Sequence, residues 1–150
     1  MARVDFYILN SGDRVQRTHF VCRLAEKAFT HGHRLFIHTP TGDEQRHLDD
    51  VLWNFRQGSF VPHALAETGR SQPDPVLIGV EPAPDAHFDV YVNLNGNVPT
   101  RFERYARIAE IVSGTTPSKE AARERFRVYR RAGIEIFSHN VDNERSQGYD

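Results

Sequence analysis

The sequence predicts a single three-layer α/β domain with a mainly parallel sheet and a nucleotide-binding-like topology that lacks a phosphate loop. Short apolar runs typical of buried strands alternate with stretches of helical periodicity over residues 1–139. The 150 residues are enough for one compact domain and too few for two ordinary ones. Residues 140–150 are polar, and we expect them to form a C-terminal tail.

The start of the domain has the pattern of a strand–helix–strand unit. Residues 5–10 are apolar and aromatic and lead into a turn at Gly12, which predicts the first strand. Residues 35–37 predict the second strand, which should run parallel to the first after a right-handed crossover. The helix between them ends at Gly32, and its apolar face consists of Val21, Leu24, Ala25, Ala28 and Phe29.

A second helix is predicted after Thr41, whose spacing to Glu44 fits a capping box. Residues 58–74 are rich in glycine, proline and polar residues, and they predict a loop. Strands should follow at residues 76–80 and 88–94. The apolar face of the second helix consists of Leu48, Val51, Leu52 and Phe55.

The last third of the domain continues the alternation of helices and strands. Capping patterns, glycines and apolar runs again separate the elements. The predicted elements are a short helix at 101–105 with a capping pattern from Thr100 to Glu103, a strand at 108–112, a helix at about 118–132 that ends at Gly133, and a strand at 134–137.

The composition excludes several classes of protein. No apolar run is long enough to span a membrane and no secretion signal is visible, so we expect a cytoplasmic protein without membrane contact. The 19 basic residues nearly balance the 20 acidic residues, so any contact with DNA should be mainly indirect. The single cysteine, Cys22, cannot form an internal disulfide, and its place beside an apolar helix face predicts a buried thiol.

Motifs for catalysis, cofactors or metals do not emerge from the sequence. The turn after the first strand has one glycine, Gly12, followed by Asp13, whereas a phosphate-binding turn needs several glycines and no nearby acid. No Walker motif is present. His31 and His33 flank a helix-ending glycine and predict a solvated pair of side chains. We therefore expect no active site, no cofactor and no metal.

The first candidate binding surface surrounds the only tryptophan of the chain. Trp53 points about 150° away from the apolar face of its helix, so its ring should be exposed. Phe60, Val61 and Pro62 follow in the predicted loop and add apolar surface. Aromatic anchors grouped in this way are typical of protein–protein interfaces. In the alternative interpretation, the loop folds over Trp53 and buries it within the domain.

The second candidate surface is a basic face of the last predicted helix. Such a face suits an acidic peptide C-terminus, whose carboxylates pair with the cations and whose apolar side chain packs on Phe126. Two alternatives are a solvated face whose charges pair with nearby glutamates, and direct contact with phosphates. The face consists of Lys119, Arg123, Phe126 and Arg130 with Arg127 at its edge, and the predicted core-facing side consists of Ala121, Ala122, Val128, Tyr129 and Ala132.

The chain resembles the chi subunit family of the bacterial DNA polymerase III holoenzyme. The resemblance implies a nucleotide-binding-type α/β fold without a phosphate loop, and a non-catalytic accessory subunit of the clamp loader in DNA replication. It rests on Phe-Tyr-Ile-Leu at 6–9, Leu-Asp-Asp-Val-Leu-Trp at 48–53, Ser-Phe-Val-Pro-His at 59–63, and Ala-Arg-Glu-Arg-Phe-Arg-Val-Tyr-Arg followed by Ala-Gly within 122–133.

The same resemblance implies two partners that this protein would bridge. The psi subunit would bind at Trp53, Phe60 and their neighbours, where a DNA-repair helicase competes in some members of the family. Phe126 stands where one member has a tyrosine, so the aromatic surface is kept without its hydroxyl. The positions for the acidic C-terminal tail of the single-stranded-DNA-binding protein fall on Val112, Lys119, Arg123, Phe126 and Arg127.

Two other functions stay open at the level of the sequence. A divergent α/β nucleotide-binding enzyme would use a histidine such as His38 or His63. A direct binder of single-stranded DNA would show a steep salt dependence on oligonucleotides without any tail-bearing protein.

Overall fold

The computed structural model describes residues 2–54, 62–65, 75–81 and 89–141. No helix in these ranges is long and apolar enough to cross a membrane. The elements of this part of the chain are β1 Arg3–Leu9, α1 Arg14–Thr30, β2 Leu35–His38, α2 Gly42–Asn54, β3 His63–Leu65, β4 Val76–Gly79, β5 Val90–Asn93, a 3₁₀ turn Phe102–Arg104, β6 Arg107–Val112, α3 Thr116–Arg131 and β7 Glu135–Val141.

The strands form one seven-stranded sheet in the order β3-β4-β2-β5-β6-β1-β7, and every described pairing is parallel. Helices α1 and α2 pack on one face, whereas α3 and the 3₁₀ turn pack on the other. The predicted three-layer α/β domain with a parallel sheet is therefore confirmed. Because all the strands point the same way, the loops that enter α1, α2 and α3 meet at one edge of the sheet.

Local signals in the sequence set the ends of the helices. The Thr41 hydroxyl accepts a hydrogen bond from the Glu44 N–H at 3.2 Å, as predicted for the start of α2. The Glu44 carboxylate lies against Arg14 of α1 instead, with 3.1 Å between N and O. Gly32 and Gly133 follow α1 and α3 with φ of +81° and +78°, a conformation that costs glycine little.

Three predicted elements differ in the structure. The predicted loop at 58–74 contains β3, because His63–Leu65 pairs with β4 along its whole length. The predicted short helix is a 3₁₀ turn, and it begins after Arg101 in a left-handed conformation, φ 53°, rather than at a capped Thr100. The last strand reaches Val141, two residues into the polar segment, because it pairs with β1 throughout.

The face of α3 that meets the sheet differs from the predicted one. Ala122 and Tyr129 are buried as predicted, but Arg125 lies between them and is buried as well. It pairs there with Glu110 of β6, so a charged residue occupies a position that periodicity assigns to solvent. The prediction of core-facing side chains is wrong at Ala121, Val128 and Ala132, which are exposed.

Candidate functional site

A groove of about 320 Å³ lies between α3 and the sheet. Its apolar side chains are buried or half-buried and form a floor, whereas its two cations and its serine are exposed at the margin. The groove thus offers an apolar surface beside two positive charges. Its lining consists of Phe6, Ile8, Val112, Lys119, Ala122, Arg123, Phe126 and Ser138.

Strand register and helix spacing bring these residues together. Phe6 and Ile8 alternate along β1 and point to the same face of the sheet. Val112 pairs with Ile8 across β6 and β1, so its side chain extends the same apolar floor. On α3, Lys119 and Arg123 are four residues apart and lie on one side of the helix. The site therefore needs both the helix and the central strands.

Phe126 forms one wall of the groove. Its ring packs against Phe6 with 5.8 Å between centroids and an interplanar angle of 48°. The side chain is half-buried, so one side of the ring belongs to the core and the other contributes to the groove. Packing of this kind orders the ring before a ligand binds, which lowers the entropy cost of binding.

Two of the cations predicted for this face lie outside the lining of the groove. Arg127 pairs with Glu124 on the outer surface of α3. Arg130 is exposed, about 10 Å farther along the helix than Arg123. Of the six predicted residues, the structure brings together Val112, Lys119, Arg123 and Phe126.

A buried ionic network beside the groove holds α3 on the sheet. The fully buried Glu110 accepts hydrogen bonds from Arg125 Nε at 2.8 Å, Asn93 Nδ2 at 3.0 Å and the Tyr129 hydroxyl at 2.5 Å. Arg125 also donates through Nη1 to the Gly96 carbonyl at 3.0 Å. Burial raises the pKa of Glu110 in spite of its cationic partner. The network joins the side of α3 that carries Arg125 and Tyr129 to β6 of the sheet.

This network and part of the groove floor were not predicted from the sequence. Glu110 is the one charged residue in the apolar run at 108–112, and a charge in such a run signals a buried partner. Phe6, Ile8 and Ser138 carry no comparable signal, because their place in the site depends on the order of the strands in the sheet.

The second predicted surface, around Trp53, is described in part. Trp53 lies in the last turn of α2 and is 56% exposed, which agrees with its predicted direction on the helix. Its ring contacts His63 of β3 edge to face, with 5.0 Å between centroids. Pro62 is half-buried, whereas Phe60 and Val61 lie outside the described residues.

The two histidines considered for catalysis are held by neighbouring groups. His38 is buried, with Nε2 at 2.8 Å from the Val80 carbonyl and Nδ1 hydrogen-bonded to the Tyr91 hydroxyl. Burial lowers the pKa of His38. His63 is also buried, and its Nε2 lies 3.2 Å from the Asp49 carboxylate. These contacts account for both side chains as parts of the packed domain.

Two further features bear on the predicted lack of a catalytic or phosphate site. Cys22 is buried as predicted, and burial raises the pKa of its thiol to about 12, so the reactive thiolate is scarce at neutral pH. The Gly114 N–H donates to the Ser11 carbonyl at 2.9 Å, so the loop after β6 packs on the turn after β1. The described ranges contain no group of three potential metal ligands.

Comparison with solved structures shows the fold alone. The Saccharomyces cerevisiae Dbp5 C-terminal domain, solved in a complex with Gle1 and IP6, superimposes with a TM-score of 0.63 at 12% identity. The match covers 95% of this chain and 92% of that domain. A match at this low identity supports the α/β architecture, but it is not evidence of a shared function.

Comparison with sequences identifies the family. A DNA polymerase III subunit chi from Pseudomonas aeruginosa is 37% identical over 141 residues, which are 94% of this chain and 98% of that protein. The chi subunits of Escherichia coli K12 and Haemophilus influenzae are 27% and 26% identical, and each match covers 91% of this chain and 96% of the relative. The family model of the DNA polymerase III chi subunit, HolC, matches residues 1–137, and the chain therefore belongs to this family of DNA replication proteins.

Proposed function

We propose that this chain is a non-catalytic accessory subunit of the clamp loader that bridges the psi subunit to the acidic C-terminal tail of the single-stranded-DNA-binding protein. The observation that carries the proposal is the groove beside α3, where Lys119 and Arg123 flank an apolar floor. Membership of the chi subunit family supports a role within the DNA polymerase III holoenzyme.

The groove chemistry suits the end of an acidic peptide. Its volume of about 320 Å³ is at the small end of ligand pockets, which favours one or two side chains over a large ligand. A terminal apolar side chain packs against Val112 and Phe126, while the carboxylates of the peptide pair with Lys119 and Arg123. Arg127 contributes less, because it lies outside the lining of the groove, beside Glu124 on the outer surface of α3.

The two proposed surfaces are far enough apart for simultaneous binding. Trp53 lies on α2, which packs on one face of the sheet next to β3, whereas the groove lies on the other face next to β7. The strands that line the groove, β6, β1 and β7, lie four to six strand spacings, or about 19–29 Å, from β3 in the sheet. A bridge between psi and the tail protein needs this separation. A DNA-repair helicase that used the Trp53 surface would compete with psi alone.

A fluorescence titration with a labelled acidic peptide that ends in Pro-Phe tests the groove. Arg123→Ala should weaken binding about tenfold, equivalent to about 1.4 kcal/mol. Raising the salt concentration should weaken binding further, because exposed ion pairs are screened. The matched control is Arg131→Ala, which removes an exposed charge of the same helix outside the groove lining. Equal affinity for the Arg123→Ala variant and the parent chain would contradict the proposal.

A pull-down with the psi subunit tests the second surface. Trp53→Ala should abolish capture of psi and leave binding of the acidic peptide unchanged, because the two surfaces lie on opposite faces. Cooperative unfolding should persist, since more than half of the Trp53 side chain is exposed. Loss of cooperative unfolding would assign Trp53 to the core instead of the interface.

A further inference from the structure

The segment that follows β7 has the same chemistry as the proposed ligand of the groove. Residues 142–150 lie outside the described residues, and their sequence combines acidic side chains with an aromatic ring. One arginine among three acids gives the segment a formal charge of −2. The residues concerned are Asp142, Glu144, Arg145, Tyr149 and Asp150.

Strand β7 ends beside the groove, so the segment that follows it begins at the edge of the groove. Ser138 of β7 lines the groove, and Asn140 pairs with Ile8, which lines it as well. The chain therefore leaves the sheet about 4.8 Å, one strand spacing, from the groove floor. The nine residues of 142–150 span up to about 30 Å when extended, whereas the groove follows α3 for about 10 Å. The segment is long enough to return over the groove.

We propose that residues 142–150 dock in the groove of their own chain and compete there with acidic partner tails. Their carboxylates pair with Lys119 and Arg123, and the Tyr149 ring packs on the apolar floor. This inference rests on the function proposed above, because it takes the groove to select acidic segments that carry an apolar side chain.

Tethering makes even a weak internal ligand effective. A short linker holds the segment near the groove at an effective concentration of about 1 mM or more. The apparent dissociation constant of a partner is then divided by the fraction of open groove, so half occupancy weakens binding twofold and 90% occupancy weakens it about tenfold. The internal segment thus weakens the binding of every partner by the same factor, so that at a given concentration only the tighter-binding peptides still occupy the groove.

The full-length chain with Asp142→Asn, Glu144→Gln, Tyr149→Ser and Asp150→Asn tests the competition. This variant should bind the labelled acidic peptide two- to tenfold more tightly than the parent chain at low salt, and the difference should shrink at high salt, where the ion pairs are screened. The matched control carries Ser146→Ala and Gln147→Ala, which keep the acids and the ring, and it should bind like the parent. Equal affinity of the fourfold variant and the parent would overturn the inference.

A measurement without any partner separates this inference from the proposed function. Methyl NMR spectra of the parent and the fourfold variant should differ at the groove residues Ile8, Val112 and Ala122 in the absence of peptide. Identical spectra would overturn internal docking even if the peptide binds. Different spectra without peptide binding would retain internal docking and contradict the proposed function. Differences that grow with protein concentration would assign the groove to a second copy and overturn docking within one chain.

Discussion

The buried pair between Glu110 and Arg125 allows a sharp test of how α3 is held on the sheet. The change Arg125→Met keeps most of the side-chain length and removes the guanidinium that donates to Glu110 at 2.8 Å and to the Gly96 carbonyl at 3.0 Å. Both members of the pair are buried, so water does not easily replace the lost donors. Removing one partner of such a pair costs about 3–5 kcal/mol.

The geometry of Glu110 places the expected cost at the lower end of this range. Its carboxylate keeps the hydrogen bonds from Tyr129 and Asn93 when Arg125 is replaced. We therefore expect the free energy of unfolding to fall by about 3 kcal/mol at pH 8. In a chain of this length, such a loss lowers Tm by roughly 6–12 °C.

The loss in free energy of unfolding caused by Arg125→Met should become smaller as the pH falls. Burial already raises the pKa of Glu110, and loss of the Arg125 charge raises it further because the carboxylate form loses its cation. A carboxyl whose pKa is higher in the folded state than in the unfolded state binds more protons when folded. Its contribution to stability is therefore fully present below the unfolded pKa of about 4.3, and it is lost as the pH rises through the folded pKa.

Urea unfolding of the parent and the variant at pH 5 and pH 8 measures this effect. The deficit of Arg125→Met should be smaller at pH 5 than at pH 8. The double variant with Glu110→Gln should recover part of the loss at pH 8, because no buried charge remains without its partner. The control Arg123→Met changes an exposed arginine of the same helix and should stay within about 0.5 kcal/mol. If Arg125→Met lowers the free energy of unfolding by less than about 1 kcal/mol at pH 8, or by the same amount at both pH values, the reasoning is refuted.

Three further predictions concern single residues. Asp5→Asn should lower the free energy of unfolding at neutral pH, because hydrogen bonds from an arginine and a histidine outweigh burial and hold the pKa of Asp5 low. This loss of stability should begin to shrink as the pH falls below the unfolded pKa of about 3.9 and disappear as the pH falls through the lower folded pKa, as urea unfolding across pH will measure. Cys22 should resist a thiol reagent at pH 8 in the folded chain and react fully in urea. Gly114→Ala should cost about 1–3 kcal/mol in thermal unfolding, because its Cβ would lie 2.8 Å from the backbone N of Ser11, whereas Gly12→Ala meets a side-chain methyl and should cost less.

Distinct results would contradict each of these expectations. Equal stability of Asp5→Asn and the parent chain at neutral pH would mean that the Asp5 carboxylate is not stabilised in the folded chain. Rapid labelling of Cys22 under native conditions would show that α1 opens readily. Equal stability of Gly114→Ala and Gly12→Ala would show that the loop after β6 moves away from the turn after β1 at little cost.

The order of helices and strands could be predicted because it rests on short-range signals. The apolar face of α1, its end at Gly32 and the Thr41 cap of α2 each depend on a few neighbouring residues. The three-residue strand β3 could not be predicted in this way, because its pairing partner is ten or more residues away in β4. The length of β7 depends in the same way on a partner strand from the other end of the chain.

The part of the candidate site that lies on α3 could be predicted from the sequence. The spacing of Lys119, Arg123 and Phe126 places them near one another whatever lies beneath the helix. The rotation of α3 against the sheet was not predictable from periodicity, because Arg125 is buried by a specific partner, Glu110, that hydropathy counts as polar.

By itself, the sequence determined the alternation of elements, the basic helix face and the exposed direction of Trp53, because each depends on residues close together in the chain. It also determined the family resemblance, through short motifs that follow one another along the chain. The tertiary structure alone decided that β1, β6 and β7 lie side by side beneath α3, so that Phe6, Ile8 and Ser138 line one groove together with Val112. The physical reason is that strand order arises from contacts between distant segments, whose energies depend on the packing of the whole sheet.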